Sequence, residues 1–325
     1  MKHRVFRDLF ITFILLIPVI LCSGEGQIDI STAPFTISNP GSYIVVKDLI
    51  VAQTGKHAIT IESDDVTVDL GGHTIKGPGK TAGNVGSGIY INGAENVTVK
   101  NGTIRDWRKF AINASSSNYC RFENITCREN YTGIATGNNC ILINNICTNN
   151  SEEGIWCYGG SVVKNNVCSN NKTGILANGS HLENNTCTGN ETGISTDSSI
   201  VLNNLVQSNT GVGINIYNAT SARGNNCFYN YKHGIEAGFR CTIQKNTCSF
   251  NGTDPSNEGY GIYISTGQCS VIENELIEND KGLVCKDVNN YIAQNRAQGH
   301  GGAANDYDIV TGNTLGAGDL ANVSF

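Results

Sequence analysis

The fold class predicted for this chain of 325 residues is an all-β solenoid, in which each turn holds three short strands stacked in parallel on those of the next turn. Three observations predict it. A Gly-Ile pair returns at Gly88, Gly133, Gly154, Gly174, Gly193, Gly213, Gly234 and Gly261, and from 133 to 234 the steps are 21, 20, 19, 20 and 21 residues. A period of this length marks units that bury their apolar faces only against neighbours. Between these marks an Asn precedes a small apolar residue by two places, as in Asn145-Ile-Cys147, Asn166-Val-Cys168 and Asn185-Thr-Cys187, and another Asn follows three places on. A third piece opens on Cys or Ser and alternates, as in Cys140-Ile-Leu-Ile and Ser161-Val-Val-Lys. The pieces run only three to five residues with period-2 alternation, which is strand spacing, and helical spacing is absent. Asn suits the corners because it tolerates left-handed backbone and can bond to its own kind on neighbouring coils.

Composition narrows the surroundings. Lys2, Arg4 and Arg7 precede an apolar run from Leu9 to Leu21, with small residues at Cys22-Ser23-Gly24, so residues 1–24 read as an export signal. The run is too short for a membrane span, and Leu21 is a poor neighbour for a lipidated Cys22. A net charge of −6 and a pI near 5.5 argue against nucleic acid and anionic membranes as partners. Of thirteen Cys, twelve follow the signal. Cys127, Cys147, Cys168, Cys187, Cys227 and Cys248 share one repeat position with Val206 and Leu276; Cys120, Cys140, Cys241 and Cys269 share another with Ser161, Ser180, Ser199 and Thr220. Such placement predicts small inward-facing core thiols, since stacked Cβ vectors run parallel and make disulfide geometry hard. Disulfides stay the alternative. Asn-x-Ser/Thr triplets, among them those at Asn96, Asn124 and Asn190, follow from the repeat chemistry.

These Gly-Ile and Asn-x-Cys coils resemble the right-handed parallel β-helix superfamily of pectate-lyase-like and polygalacturonase-like proteins, from about Ile28 onward. The nearest likeness is to its group with short Asn/Gly-rich coils, which includes periplasmic maturation proteins of copper enzymes. Ser38-Asn-Pro-Gly-Ser-Tyr-Ile-Val-Val46 looks like the opening strand of such helices, and Asp65-Val-Thr-Val-Asp-Leu-Gly-Gly-His-Thr-Ile75 like their first full coil, with His73 structural. The resemblance implies a capping segment over 25–65, about eleven right-handed coils over 66–298 and a closing segment over 299–325. It also implies a monomer that is secreted, periplasmic or at the cell surface.

Family enzymes carry their chemistry on the outer face of one sheet. Of the polygalacturonase-like motifs only Gly299-His300-Gly301 is present, and no Asp cluster of the lyase kind is found, so calcium stays open as a cofactor without a site. Residues two after each Gly should point outward, which puts Tyr90, Trp156 and Tyr263 where they could stack on sugar rings. His233 and Glu236, flanked by Arg223, Lys232 and Arg240, form a candidate acid/base pair. Arg105 and Arg128 occupy the same position in successive coils and should stack, either around an anionic sugar or in a ladder with Asp106 and Glu129. Two stretches interrupt the period, Lys76–Gly86 and Asn251–Glu258, and would wall a cleft if they flank the aromatic column. The leading expectation is recognition of a polysaccharide or cell-surface glycan, with lyase or glycoside hydrolase action left open. The competing one is a non-catalytic surface or scaffold protein. Metal delivery would need surface His, Met or Cys, and one Met and six scattered His argue against it.

Overall fold

The computed structural model describes residues 26–79, 86–252, 258–300, 305–317 and 321–324; the expected export signal lies outside them. Thirteen parallel strands form one continuous face, from Phe35–Ile37 through Ile89–Ile91, Glu153–Cys157 and Ile235–Ala237 to Tyr307–Ile309. The solenoid therefore has thirteen turns where the sequence counts about eleven. The additional strands Phe35–Ile37 and Ile59–Ile61 already stand in register before Val66. Two further faces complete each turn, exemplified by Ile141–Ile143 stacked on Val162–Lys164 and Ile146–Thr148 stacked on Val167–Ser169. The rod is thus triangular in section, with strands about 4.8 Å apart along its axis.

Single columns fill the interior. Ile134, Ile155, Ile175, Ile194, Ile214, Ile235 and Ile262 follow one another on the Gly-Ile face and are fully buried. Opposite them run Cys127, Cys147, Cys168 and Cys187, then Val206, Cys227, Cys248 and Leu276. All twelve described Cys are free thiols and buried. Cys157 and Cys285 belong to neither expected column: they sit at the ends of Gly-Ile strands.

The two Asn columns correct the sequence reading. Corner and ladder are separate residues. The left-handed corner falls on the first Asn of each pair, such as Asn144 (φ 55°), Asn165 (φ 56°) and Asn184 (φ 55°). The second points into the rod. Asn185 donates from Nδ2 to Val163 O (2.8 Å) and Asn204 Oδ1 (3.0 Å), while its backbone N–H donates to the same Asn204 Oδ1 (2.8 Å). Asn185 Oδ1 in turn accepts the N–H and the Nδ2–H of Asn166, so both donors and both acceptor positions of the amide are used. One such ladder runs from Asn145 through Asn166, Asn185, Asn204, Asn225 and Asn246 to Asn274, Asn295 and Asn322. The other runs from Asn130 through Asn150, Asn171, Asn190, Asn209 and Asn230 to Asn251 and Asn279. His300 takes the next rung, its buried Nδ1 accepting the Asn279 N–H at 3.0 Å. His300 is a structural residue.

The ladder also helps explain the Gly of the Gly-Ile pairs from Gly154 to Gly261. A Cβ on Gly174 would lie 2.5 Å from Gly193 O and 3.0 Å from the ladder amide of Asn190. Ala58 and Ala111 occupy this place only in coils that precede the first rung, Asn130.

Replacing a rung should strand several buried partners, each costing about 1–3 kcal/mol when left unpaired. Asn185→Ala is therefore expected to lower unfolding free energy by roughly 3–5 kcal/mol, and the corner change Asn184→Ala by about 1–2 kcal/mol. Chemical denaturation compares the two; equal losses would contradict the separation of roles.

Candidate functional site

The register of the Gly-Ile strands carries one outward column along the rod, from Tyr90 past Trp156 to Glu236, Tyr263 and Asp308. Most of its members are half-buried, but Ala135 and Val284, expected to face outward, are covered by their neighbours. Three steps separate Tyr90 from Trp156 and five separate Trp156 from Tyr263, roughly 14 and 24 Å at strand spacing. The three aromatics share a line without forming one cluster. Trp156 packs against Tyr158, with ring centroids 5.5 Å apart.

Chemistry-bearing groups converge around His233. Its ring stacks on Tyr260, with centroids 4.7 Å apart and planes 17° apart, and tilts against Tyr263 at 4.9 Å. Tyr260 and Tyr263 lie on the next strand, Tyr260–Ile264, and Glu236 pairs in register with Tyr263. Glu236 thus stands beside Tyr263 from the strand Ile235–Ala237, and His233 reaches the same tyrosine from the residues just before that strand. The Tyr260 backbone N–H donates to His233 Nδ1 at 3.2 Å. A neutral ring held this way carries its proton on Nε2 and presents an N–H donor.

Burial, reinforced by the positive charge of Lys232, lowers the pKa of His233 to about 4, so the ring is neutral at pH 7. Burial raises the Glu236 carboxyl above the usual range, and Lys232 partly offsets that. Lys281 stands in register with Tyr260, its Nζ 5.7 Å from the ring centroid, and lies 3.9 Å from Glu258 and 3.5 Å from Asp308. Asp308 also meets Lys286 at 2.8 Å. The Tyr260 hydroxyl bonds to Glu258; burial and then this bond push the phenol well above its ordinary pKa.

Other expected neighbours lie elsewhere. Arg223 is on a different face, in Ser221–Arg223, and Arg240 lies over the Phe239 ring at 4.7 Å and bonds to Gln268. Lys232 alone of the three expected cations acts on the pair. Arg105 and Arg128 do stack in register, with Lys76 beneath them, but each pairs with its own carboxylate, Arg105 with Asp106 at 2.7 Å and Arg128 with Glu129 at 2.8 Å. The ladder alternative describes them. Lys76 and Asp106 border a surface cleft of about 440 Å³ away from the Gly-Ile face. Glu258 and Tyr260 escaped sequence reading because they end the 27-residue step from Gly234 to Gly261; for Tyr260 and Lys281 the signal was the column one before each Gly, which reads His233, Tyr260, Lys281.

The interrupting stretches rejoin the face at one place. Residues 80–85 and 253–257 lie outside the described ones, but a Cβ on Gly86 would lie 1.9 Å from Lys56 O and one on Gly259 2.8 Å from Lys232 O. Both stretches therefore end against the residues that lead into the preceding strand, Ile59–Ile61 or Ile235–Ala237. Among the described residues no three of His, Cys, Asp and Glu come together to hold a metal ion, and no helix is long and apolar enough to cross a membrane.

A parallel β-solenoid of thirteen turns defines the class. The chain belongs to the right handed beta helix family, whose model matches residues 36–181 and 137–250. No curated protein matches it in sequence. Among solved structures it is similar to the A-module of Azotobacter vinelandii mannuronan C-5 epimerase AlgE6, at 14% identity over 93% of this chain and 90% of that chain, with a TM-score of 0.65. It is similar also to the periplasmic alginate epimerase AlgG, at 12% identity, 88% and 78% coverage and a TM-score of 0.53. A tailspike protein double mutant of E. coli bacteriophage HK620 matches at 12% identity, 82% and 61% coverage and a TM-score of 0.61. At these identities the likeness is one of fold.

The half-buried His233 has a direct consequence for stability. Its folded pKa of about 4 lies below the ordinary 6.5, so the unfolded chain binds the extra proton between these values. Stability should fall as pH is lowered from about 6.5 to about 4 and gain no further loss from this group below that. His233→Thr, a residue the same column holds at Thr173 and Thr192, should flatten that part of the profile in denaturation measured against pH. An unchanged slope would contradict the placement.

Proposed function

We propose that the chain is an exported protein that binds an acidic polysaccharide along the Gly-Ile face and abstracts a proton from a uronate unit at Glu236. The convergence of His233, Glu236 and Tyr263 on one outer site, with a lysine beside it, carries this reading. The folds it resembles include proteins named as mannuronan and alginate epimerases, which supports a polyuronate as the substrate class. Fold alone does not define function, so the assignment rests on the site.

The roles follow from the environments. Glu236, with a raised pKa, is the stronger base on the face and takes the proton on the carbon next to the uronate carboxylate. Lys232 offsets the charge that then grows on that carboxylate. His233 Nε2–H hydrogen-bonds a ring or linkage oxygen, and Tyr263 offers an aromatic surface to the sugar. The electron pair left on carbon either expels the linkage oxygen from C-4, which takes a proton from water and leaves an unsaturated end, or takes a proton from water on the opposite face and inverts C-5. Hydrolysis by paired carboxyls fits poorly: Asp308 lies three steps from Glu236, roughly 14 Å at strand spacing, against about 5–9.5 Å in two-carboxylate glycosidases. Asp308 is also held by Lys281 and Lys286, and Glu258 by Tyr260 and Lys281.

The scaffold reading has one observation in its favour. Between Trp156 and Glu236 the column offers only Leu176, Ser195 and Asn215. The test separates the two. Polymannuronate and polygalacturonate are incubated with the chain, and unsaturated ends and inversion at C-5 are followed by absorbance and NMR. Product is expected on a uronate polymer, unaffected by EDTA, and Glu236→Gln should slow its formation by about 10²–10⁴-fold. New reducing ends without unsaturation would contradict proton abstraction, and no product on any polymer would leave the scaffold.

A further inference from the structure

The arrangement at His233 occurs twice. Lys232-His233-Gly234-Ile235 is followed one turn later by Gly261-Ile262-Tyr263-Ile264. Near the other end of the rod, Lys56-His57-Ala58-Ile59 is followed one turn later by Gly88-Ile89-Tyr90-Ile91. The geometry repeats with the sequence. Ile59 pairs with Ile89 as Ile235 pairs with Ile262, so His57 and Tyr90 hold the same places on the Gly-Ile face as His233 and Tyr263.

The Ser87 backbone N–H donates to His57 Nδ1 at 3.0 Å, as that of Tyr260 does to His233. His57 stacks on Tyr90, with centroids 4.6 Å apart and planes 21° apart. By the same tautomer argument His57 presents Nε2–H. Its pKa is lowered by burial and then by Lys109, the order of causes seen at His233 with Lys232. Each Tyr-bearing strand is also entered directly from one of the two interrupting stretches, through Gly86 or Gly259.

Nothing in the stack requires this duplication. Thr60 fills the outward place one turn before Tyr90, and Thr132, Thr173 and Thr192 fill the place of His57. Small polar residues satisfy the same positions in other coils, so an aromatic, a neutral His donor and a lysine brought together at two coils are an addition to the scaffold. Two differences separate them: Ser87 stands where Tyr260 does, so Tyr90 is the ring that stacks on His57, and the place of Glu236 is taken by Thr60, so the N-terminal copy has no carboxyl base.

We propose that His57 and Tyr90 form a second, non-catalytic sugar subsite, equivalent in build to the one at His233 and Tyr263, that holds a distant unit of the same polyuronate chain. This rests on the reading of the His233 site as a uronate site. Tyr90 supplies a ring face for the apolar C–H groups of a pyranose, His57 Nε2–H meets a hydroxyl oxygen, and Lys109 faces the uronate carboxylate. Eight strand steps join Tyr90 to Tyr263, roughly 38 Å. A chain lying along the face reaches both, and the second contact then becomes intramolecular.

Calorimetric titration with tri- and dodecasaccharides of polymannuronate and polygalacturonate tests this. The wild-type chain is expected to bind two trisaccharides but one dodecasaccharide, the latter tighter by on the order of a hundredfold. The double variant His57→Thr, Tyr90→Thr, using residues the columns already hold, should bind one trisaccharide and lose the gain with length. A wild-type stoichiometry of one trisaccharide, or affinity that does not rise with length, overturns the second subsite while leaving the site at His233. Full binding by the double variant also overturns it. No oligosaccharide bound by any form removes the uronate reading and this proposal with it.

Discussion

The two buried asparagine ladders hold the rest of the structure in place. An amide that must give both protons and accept two can do so inside a protein only if the next copy stands one strand spacing away in the same orientation. Each rung therefore fixes the height and the rotation of its coil. It also excludes a side chain from the neighbouring strand, which is why Gly occupies the mark of the repeat at Gly154, Gly174 and Gly193. Rungs stay Asn while corners drift. Tyr229, Lys245, Phe250, Glu273 and Glu278 all hold left-handed corners, a conformation costly for bulky residues, yet the rungs beside them, Asn230, Asn246, Asn251, Asn274 and Asn279, are unchanged. The satisfied ladder offsets strain at the corner.

A rod locked in this way turns residue spacing into surface geometry. Tyr263 stands beside Glu236 because the strands that carry them are one rung apart, and the 27-residue step between their glycines is absorbed at a corner without shifting the register. The same rigidity produces the electrostatics. His233 packs against both Tyr260 and Tyr263, which also touch each other, loses hydration and stays neutral, while burial raises the Glu236 carboxyl. The result at pH 7 is a neutral imidazole donor near a carboxyl of raised basicity.

Much of the fold was legible because period and burial coincide. Gly-Ile spacing, the inward columns of Cys and Ile and the outward line from Tyr90 to Tyr263 are direct consequences of alternation, and the register reproduces them. The division between corner and rung was not legible, since Asn144 and Asn145 are chemically identical and only backbone dihedrals tell them apart. His300 carried a readable signal that a Gly-His-Gly motif obscured: it lies 21 residues after Asn279, one full repeat. At the site, nearness in sequence misled. Arg223 and Arg240 are close to His233 along the chain but face elsewhere, whereas Tyr260 and Lys281 are remote along it and adjacent in space. The twin of the site at His57 and Tyr90 was hidden because only the column after each Gly was followed.

The most direct measurement is native-state hydrogen exchange on a chain with both rungs of one coil removed, Asn204→Ala with Asn209→Ala. If the ladders hold the coils in register, protection should break at that coil, and the amides on its two sides should exchange with separate opening energies. One common opening energy for both halves, as in the unaltered chain, would mean that the apolar columns suffice and would contradict the central role of the asparagines.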